Sequence, residues 1–332
     1  MMENQIKEEI KRKLEDMGLT AYGFMKVRTL TDSLAYFEER KKLDLTTTFE
    51  ENDLKKKIDL SCEMEHAKTI ISIAFPYYYD SYIHKEGYFS LYTLGKDYHL
   101  VVKDHLEKIA DLIREKGYEA KVFADNNSLP ERYIAHVAGT GEIGKNHMVI
   151  TKEYGSYVFL GEIMTELEME TSERDWKEIP EHEVCGECVR CMKACPTQIL
   201  GSELYNTRRC MSYITQNKEI TDEEMLLFRG RLFGCDTCQR ACPLNRDIRI
   251  SPMEEFRPRE YMKYPSLMEL LALTNKEFVK YKETSSGWRG KKLLQRNAMI
   301  ELMRRGKKPD EKHINTDYLK EYYNRLQTLF NL

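Results

Sequence analysis

Cys185-Gly-Glu-Cys188-Val-Arg-Cys191-Met-Lys-Ala-Cys195-Pro196 and, further on, Cys235-Asp-Thr-Cys238-Gln-Arg-Ala-Cys242-Pro243 decide how this chain is built. Cys210 lies between the two runs, so eight of the nine cysteines fall between residues 185 and 243. The first run follows C-x2-C-x2-C-x3-C-P, the ferredoxin spacing in which the fourth cysteine serves the other cluster of a pair. Three thiolates on a tight loop reach three irons of one cubane. The fourth must arrive from elsewhere, and the proline keeps a helix from running through it. The expected assignment is therefore crossed. Cys185, Cys188, Cys191 and Cys242 hold one [4Fe-4S] cluster, and Cys195, Cys210, Cys235 and Cys238 hold the second. A disulfide framework needs an oxidising compartment, and the N-terminus carries no secretory pattern. Zinc would be content with paired C-x2-C and asks neither for a third cysteine nor for C-P twice.

The rest of the composition sets bounds. The chain has 332 residues, 41% of them hydrophobic, enough for two or three domains with real cores. Its 52 basic and 55 acidic residues leave a net charge of −3, which excludes a general nucleic-acid binder. No apolar run approaches the ~20 residues of a membrane span. A cytoplasmic protein that does not enter a membrane is expected, with thiolates kept available to iron.

Read in order, residues 3 to 17 form an amphipathic helix with Ile6, Ile10, Leu14 and Met17 on one face, closed by Gly18. A strand follows at 21 to 27, a helix at 30 to 43 and a charged loop at 44 to 60. Thr69 to Pro76 is a buried strand. The lone Cys62 before it is assigned no role. The aromatics of 77 to 84 either pack or line a pocket for a large flat ligand. Tyr92-Thr-Leu-Gly-Lys-Asp-Tyr98-His99 leads into a helix reaching about Lys116, and 119 to 124 is the next strand. Residues 148 to 151 and 156 to 165 are expected to pair as a hairpin across Glu153-Tyr-Gly155. Residues 166 to 184 read as an acidic linker in which His182 is a surface residue. Helices are expected at 203 to 217 and 222 to 232.

Three stretches stand out for chemistry. Asp125 follows a strand directly, in Asp125-Asn-Asn-Ser-Leu-Pro-Glu-Arg132. That is a common place for a catalytic carboxylate, and equally for a turn or helix cap. Gly139-Thr-Gly141-Glu-Ile-Gly144-Lys145 matches G-x-G-x-x-G, but a helix precedes it and a strand follows, the reverse of a dinucleotide turn. Residues 285 to 308 hold eight basic side chains against one Glu. They read either as a phosphate-binding helix or as a solvated face.

Taken in order, Gly95-Lys-Asp-Tyr-His99, Asp125 with Pro-Glu-Arg132, Ala138 to Asn146, Phe159-Leu-Gly-Glu-Ile-Met-Thr165, the eight cysteines, Arg209-Cys-Met-Ser-Tyr213 and Trp288-Arg-Gly-Lys-Lys with Gln-Arg-Asn297 resemble the epoxyqueuosine reductase (QueG) family. The resemblance runs from about residue 20 to about residue 303. It implies an α+β chain: a cobalamin-binding α/β domain similar to reductive dehalogenases at 1–170, a ferredoxin-like two-cluster domain at 171–250, and a short helical region at 251–332. It implies two [4Fe-4S] clusters passing electrons to cobalamin, and reduction of epoxyqueuosine to queuosine in the tRNA anticodon loop. Asp125 would be the proton donor, its pKa raised if its pocket is apolar. Tyr98, His99, Gly139, Gly141, Gly144 and Lys145 would lie against the corrin or substrate. An external donor such as ferredoxin or flavodoxin would supply electrons. The chain departs from the family at Glu142, usually Trp, and Ser128, usually Pro. It ends about 30 residues after the Gln-Arg-Asn helix, so the helical HEAT-like repeats with which many members hold tRNA are expected to be missing. Two other readings remain: a paralogous corrinoid reductase of a small molecule, and an electron carrier without substrate chemistry.

Overall fold

The computed structural model describes residues 2–80, 82, 85–175, 182–201 and 204–332. Parts of the aromatic stretch, the acidic linker and the segment before Cys210 therefore lie outside the described residues. The strands in chain order are β1 (Tyr22–Lys26), β2 (Thr69–Pro76), β3 (Tyr88–Phe89), β4 (Ala120–Phe123), β5 (Glu142–Ile143), β6 (Val149–Ile150), β7 (Val158–Thr165) and β8 (Arg231–Phe233). The chain forms two compact units that alternate along the sequence.

The first unit comprises Met1–Tyr78, His99–Thr207 and Cys238–Glu254. Its centre is an antiparallel sheet in the order β1-β2-β7-β4. Every residue of β2 is buried, as its continuous apolar run requires of an interior strand. Successive side chains alternate between faces. One face carries Met25, Ile70, Phe123 and Met164, packed on Ile134, Val137 and Ala138 of helix Glu131–Val137 and the residue after it. The other receives helix Tyr98–Glu115, whose Val102, Leu106, Ile109 and Ile113 recur at helical spacing and are fully buried. Gly161 allows that approach, since a Cβ there would stand 2.7 Å from Val102 and 2.9 Å from Leu106. Helix Met2–Asp16 buries Ile6, Ile10 and Leu14 and stops at Gly18.

The expected hairpin does not form. Thr151 bridges Gly155, its N–H donating to the Gly155 carbonyl at 2.8 Å, so this turn closes on itself. β6 pairs with β5, and β7 continues into the middle of the large sheet between β2 and β4.

The second unit comprises Tyr79–Tyr98, Arg208–Thr237 and Glu255–Leu332. β3 and β8 pair in parallel. The helix expected over 222 to 232 stops at Leu226, and the chain re-emerges as β8. Helix Lys291–Arg304 packs on helices Leu267–Ala272 and Asp317–Phe330 and on β8. Its middle is not a basic face, because residues 293 to 303 are all buried, while Lys292, Arg305, Lys307 and Lys308 around its ends are exposed. Arg296 is wholly enclosed and donates to the carbonyls of Asn217 (2.6 Å) and Lys218 (3.1 Å). Buried Glu301 is bridged by Arg304 at 2.7 Å and Arg305 at 3.8 Å. With Arg289 on the Gln216 carbonyl at 2.9 Å and Lys307 3.7 Å from Glu86, at least five of the eight positive charges are used within the unit. Among the described residues no helix is long and apolar enough to cross a membrane.

Candidate functional site

In the first unit, Cys185, Cys188, Cys191 and Cys242 line one cavity of about 220 Å³, together with Asn146, Ile150, Val184, Pro243 and Leu244. That is many times the ~10–15 Å³ that a single water needs. Local structure delivers each thiol. Cys185 ends the turn Glu183–Cys185, and Gly186, at φ +46°, reverses the chain toward Cys188. Cys191 lies in helix Arg190–Ala194. Cys242 follows helix Thr237–Ala241, and Pro243 starts the next turn.

The Lys145 N–H donates to Cys185 Sγ at 3.3 Å, and Lys145 Nζ to the Gly186 carbonyl at 2.5 Å. Gly144 stands so close that a Cβ would meet Ile150 at 2.6 Å and Cys185 Sγ at 3.4 Å. Burial pushes the Cys191 and Cys242 thiols up, and Cys185 adds to it, so metal must displace protons here. No three His, Cys, Asp or Glu side chains among the described residues gather tightly enough to hold a single ion. The thiols line a chamber with mostly apolar walls and an N–H···S bond. This is a donor set suited to an iron–sulfur cluster.

Of the other four cysteines, Cys195 and Cys238 belong to the first unit, and Cys210 and Cys235 to the second. Cys195 Sγ is 3.5 Å from the Thr197 hydroxyl. In the second unit, Cys235 Sγ accepts from buried Arg231 Nε at 3.3 Å and lies 3.3 Å from the Thr237 hydroxyl.

A second constellation lies where β4 ends in the first unit. Asp125 and Asn126 both adopt left-handed backbone, at φ +55° and +48°. Two such residues in succession cost energy that only a well-held loop can sustain. The Asp125 carboxylate is 45% exposed, and its Oδ2 lies 3.2 Å from Nε2 of His99, itself 30% exposed. Its surroundings are thus half open rather than apolar. The carboxyl raised by burial is Glu131, one turn on.

Glu131 was not singled out from the sequence. It begins helix Glu131–Val137, where the helix dipole favours a negative charge. Burial outweighs that and, with the nearby Asp125 carboxylate, raises its pKa to about 7. Behind it Glu162 is enclosed in β7 opposite Ser72, and burial together with Glu131 pushes its pKa well up. A Glu in an apolar strand that reads Phe-Leu-Gly-Glu-Ile-Met was the available signal.

Among the remaining expected residues, Tyr98 falls in the second unit, edge-on to Tyr92 at 6.5 Å. Gly139 leaves open space where a Cβ would be, whereas Gly141 is pressed on Val149 at 2.6 Å. Glu142 is ion-paired with Arg174 and lies 3.4 Å from His136 Nδ1. Tyr77 packs on Phe159 at 4.5 Å and Tyr78 stacks on Tyr157 at 5.0 Å, so these aromatics serve packing.

Residues 58–126 match the family described as epoxyqueuosine reductase QueG, DUF1730, and residues 184–245 match a 4Fe-4S double cluster binding domain. An epoxyqueuosine reductase of Bacillus subtilis (strain 168) is 34% identical over 90% of this chain and 79% of its own length. The chain belongs to the epoxyqueuosine reductase family. The Lactococcus garvieae reductase is also 34% identical, over 90% of this chain and 86% of its own.

Among solved structures, an epoxyqueuosine reductase with an epoxyqueuosine-modified tRNA-Tyr stem loop superposes with a TM-score of 0.87 at 29% identity. The match covers 99% of this chain and 100% of that one. A Bacillus subtilis epoxyqueuosine reductase, its catalytic aspartate loop swung out of the active site, gives 0.84 at 29% identity, covering 99% of each chain. The expected α+β architecture with a double-cluster domain is therefore that of the family.

Proposed function

We propose that this chain reduces the epoxide of epoxyqueuosine in a tRNA anticodon loop to the alkene of queuosine. The observation that carries this reading is the match, along its whole length, to an epoxyqueuosine reductase holding an epoxyqueuosine-modified stem loop.

The reaction consumes two electrons and two protons and releases the epoxide oxygen as water. Cys185, Cys188, Cys191 and Cys242, around their shared cavity, hold one [4Fe-4S] cluster. By the spacing of the motif, Cys195, Cys210, Cys235 and Cys238 hold the other. Cobalamin, when bound, supplies the cobalt-centred reduction that side chains cannot perform. His99, beside Asp125, and the 67% exposed Leu100 that follows it are accessible side chains of the first unit that would lie against such a group.

Asp125 delivers a proton to the departing oxygen, and His99 orients it. A catalytic aspartate loop in the Bacillus subtilis relative supports that role. Tyr98, His99 and Gly139 lie against corrin or substrate, while Gly141, Gly144 and Lys145 brace the loop between that end and Cys185. By function the chain divides into a cobalamin-binding part at 1–170, a two-cluster part at 171–250 and a helical part at 251–332. It works in the cytoplasm, with a ferredoxin or flavodoxin as electron donor.

The test is anaerobic turnover. Reconstituted protein with cobalamin and a strong reductant is given tRNA carrying epoxyqueuosine, and the nucleosides are read by mass spectrometry. Queuosine is the expected product. Unchanged epoxyqueuosine, with both clusters and corrin bound, would overturn the assignment in favour of another substrate.

A further inference from the structure

Glu131 makes contacts that the reaction as described does not use. Its Oε1 accepts from the backbone N–H of Asp125 at 3.3 Å and from Asn127 Nδ2 at 2.9 Å. The same Asn127 amide donates to the Asp125 carbonyl at 3.3 Å, and Asn127 Oδ1 accepts from the Leu129 N–H at 2.8 Å. Asp125 Oδ1 accepts from the Asn126 N–H at 2.7 Å. The loop from Asp125 to Leu129 is thus folded over one half-buried carboxyl oxygen. That loop also contains the two left-handed residues, whose strain would be relieved if it let go.

We propose that Glu131 is a positioning residue: it anchors the Asp125 loop and so fixes the Asp125 carboxylate beside His99. The proposal rests on the reading of Asp125 as proton donor. Glu131 does not touch the substrate.

An anchor of this kind works best uncharged. A charged carboxylate there would face Asp125 from the loop and Glu162 from β7, both acidic. The cation nearest on its own helix, Arg132, is engaged with the His147 carbonyl at 2.8 Å. From helix Tyr98–Glu115, His99 faces Asp125. Neither Glu131 nor Glu162 forms an ion pair with lysine or arginine among the described residues. Burial and the Asp125 carboxylate keep Glu131 largely protonated below neutral pH. In that state one oxygen accepts from the loop and its surroundings carry no stranded charge.

The experiment compares wild type with Glu131→Gln, which keeps an accepting oxygen, and Glu131→Leu, which does not, all loaded with clusters and cobalamin. Hydrogen–deuterium exchange of the peptide spanning 124–130 reads the loop directly. Glu131→Leu should speed its exchange roughly tenfold, as expected from losing the two hydrogen bonds that Glu131 accepts from the loop. Exchange elsewhere and iron content should stay at wild-type levels. Glu131→Gln should keep the slow exchange.

In single turnover on an epoxyqueuosine stem loop, Glu131→Leu should lose a similar factor in rate at unchanged stem-loop affinity. Glu131→Gln should recover most of that loss. Should Glu131→Leu fail to fold, Asn127→Ala removes the other half of the contact and should speed exchange in the same peptide. Wild-type exchange in Glu131→Leu or Asn127→Ala, or equal defects in the Gln and Leu variants, would overturn the proposal. Failure of every form, wild type included, to turn over the stem loop would overturn the assigned reaction, while the exchange arm still decides whether Glu131 is the anchor.

Discussion

Replacing Glu131 with Gln should make the protein more stable, by an amount that depends on pH. In the folded chain the Glu131 pKa rises from 4.5 to about 7. At about 1.4 kcal/mol per pKa unit, the shift corresponds to about 3 kcal/mol. The sign follows from linkage. A carboxyl with a raised folded pKa contributes stability that is fully present below the unfolded value, near 4.5. That stability is lost as pH rises through about 7. Glutamine has nearly the shape of the protonated acid and does not titrate. The two proteins should therefore unfold alike below pH ~4, diverge as pH rises from about 4.5 to about 7 and keep a constant gap above that, with the variant ahead by roughly 5–10 °C in Tm at pH 8.5 for a unit of this size. Anaerobic thermal unfolding of the cluster-loaded proteins, followed by circular dichroism at half-unit pH steps, reads this directly. A gap of the same size at every pH would refute the reasoning. So would a wild type that gains on the variant as pH rises, because either result means that Glu131 carries its charge at neutral pH.

Cys242→Ala removes one of four thiols around the cavity. Iron content should fall by about half, with one cluster signal surviving in the electron paramagnetic resonance spectrum; retention of both would break the crossed assignment. Asp125→Asn should keep both clusters and the corrin and lose turnover, and a wild-type rate would remove Asp125 from the mechanism. Glu50→Gln should cost about 3 kcal/mol at pH 7, since Glu50, held down to about 2 against its burial by Arg40, Thr207 and Lys57, is the partner of a buried guanidinium. The wild-type advantage should be present above pH ~4.5 and fade as pH falls toward 2, checked by urea midpoints; an unchanged midpoint at pH 7 would deny the pair any net role.

The elements most legible in the sequence were those with strong period. Thr69–Pro76 appears with the expected bounds, and helix Tyr98–Glu115 within a residue or two, because buried strands and amphipathic helices announce themselves by spacing. Pairing was less legible. Nothing local in 156 to 165 says that its partners are a strand some ninety residues earlier and another from forty residues earlier, rather than the neighbour across a turn.

Charge alone does not say which residues of a basic stretch are free to meet a partner. In helix Lys291–Arg304, Arg296 and Glu301 are enclosed and satisfied by carbonyls and neighbouring arginines, while Lys292 stays exposed. The site divides the same way. Cysteine spacing carries its own geometry, whereas Glu131 and Glu162 owe their character to a packed surface that does not exist until the sheet and helix close on them.

The alternation of the two units has a consequence for how the protein is made. The chain leaves one unit for the other at residues 78, 98, 207, 237 and 254, so neither can be completed from a single continuous piece. During synthesis, Cys185, Cys188 and Cys191 emerge first and Cys242 follows more than fifty residues later. At roughly 5–20 residues per second, the ribosome leaves the first three thiols without their fourth partner for several seconds. Iron delivered in that interval meets an incomplete ligand set, open to oxidation and to the wrong metal. Productive loading of that site therefore waits until Cys242 has joined the first three thiols, which ties the cluster to the folding of a long stretch of chain rather than to the first motif alone.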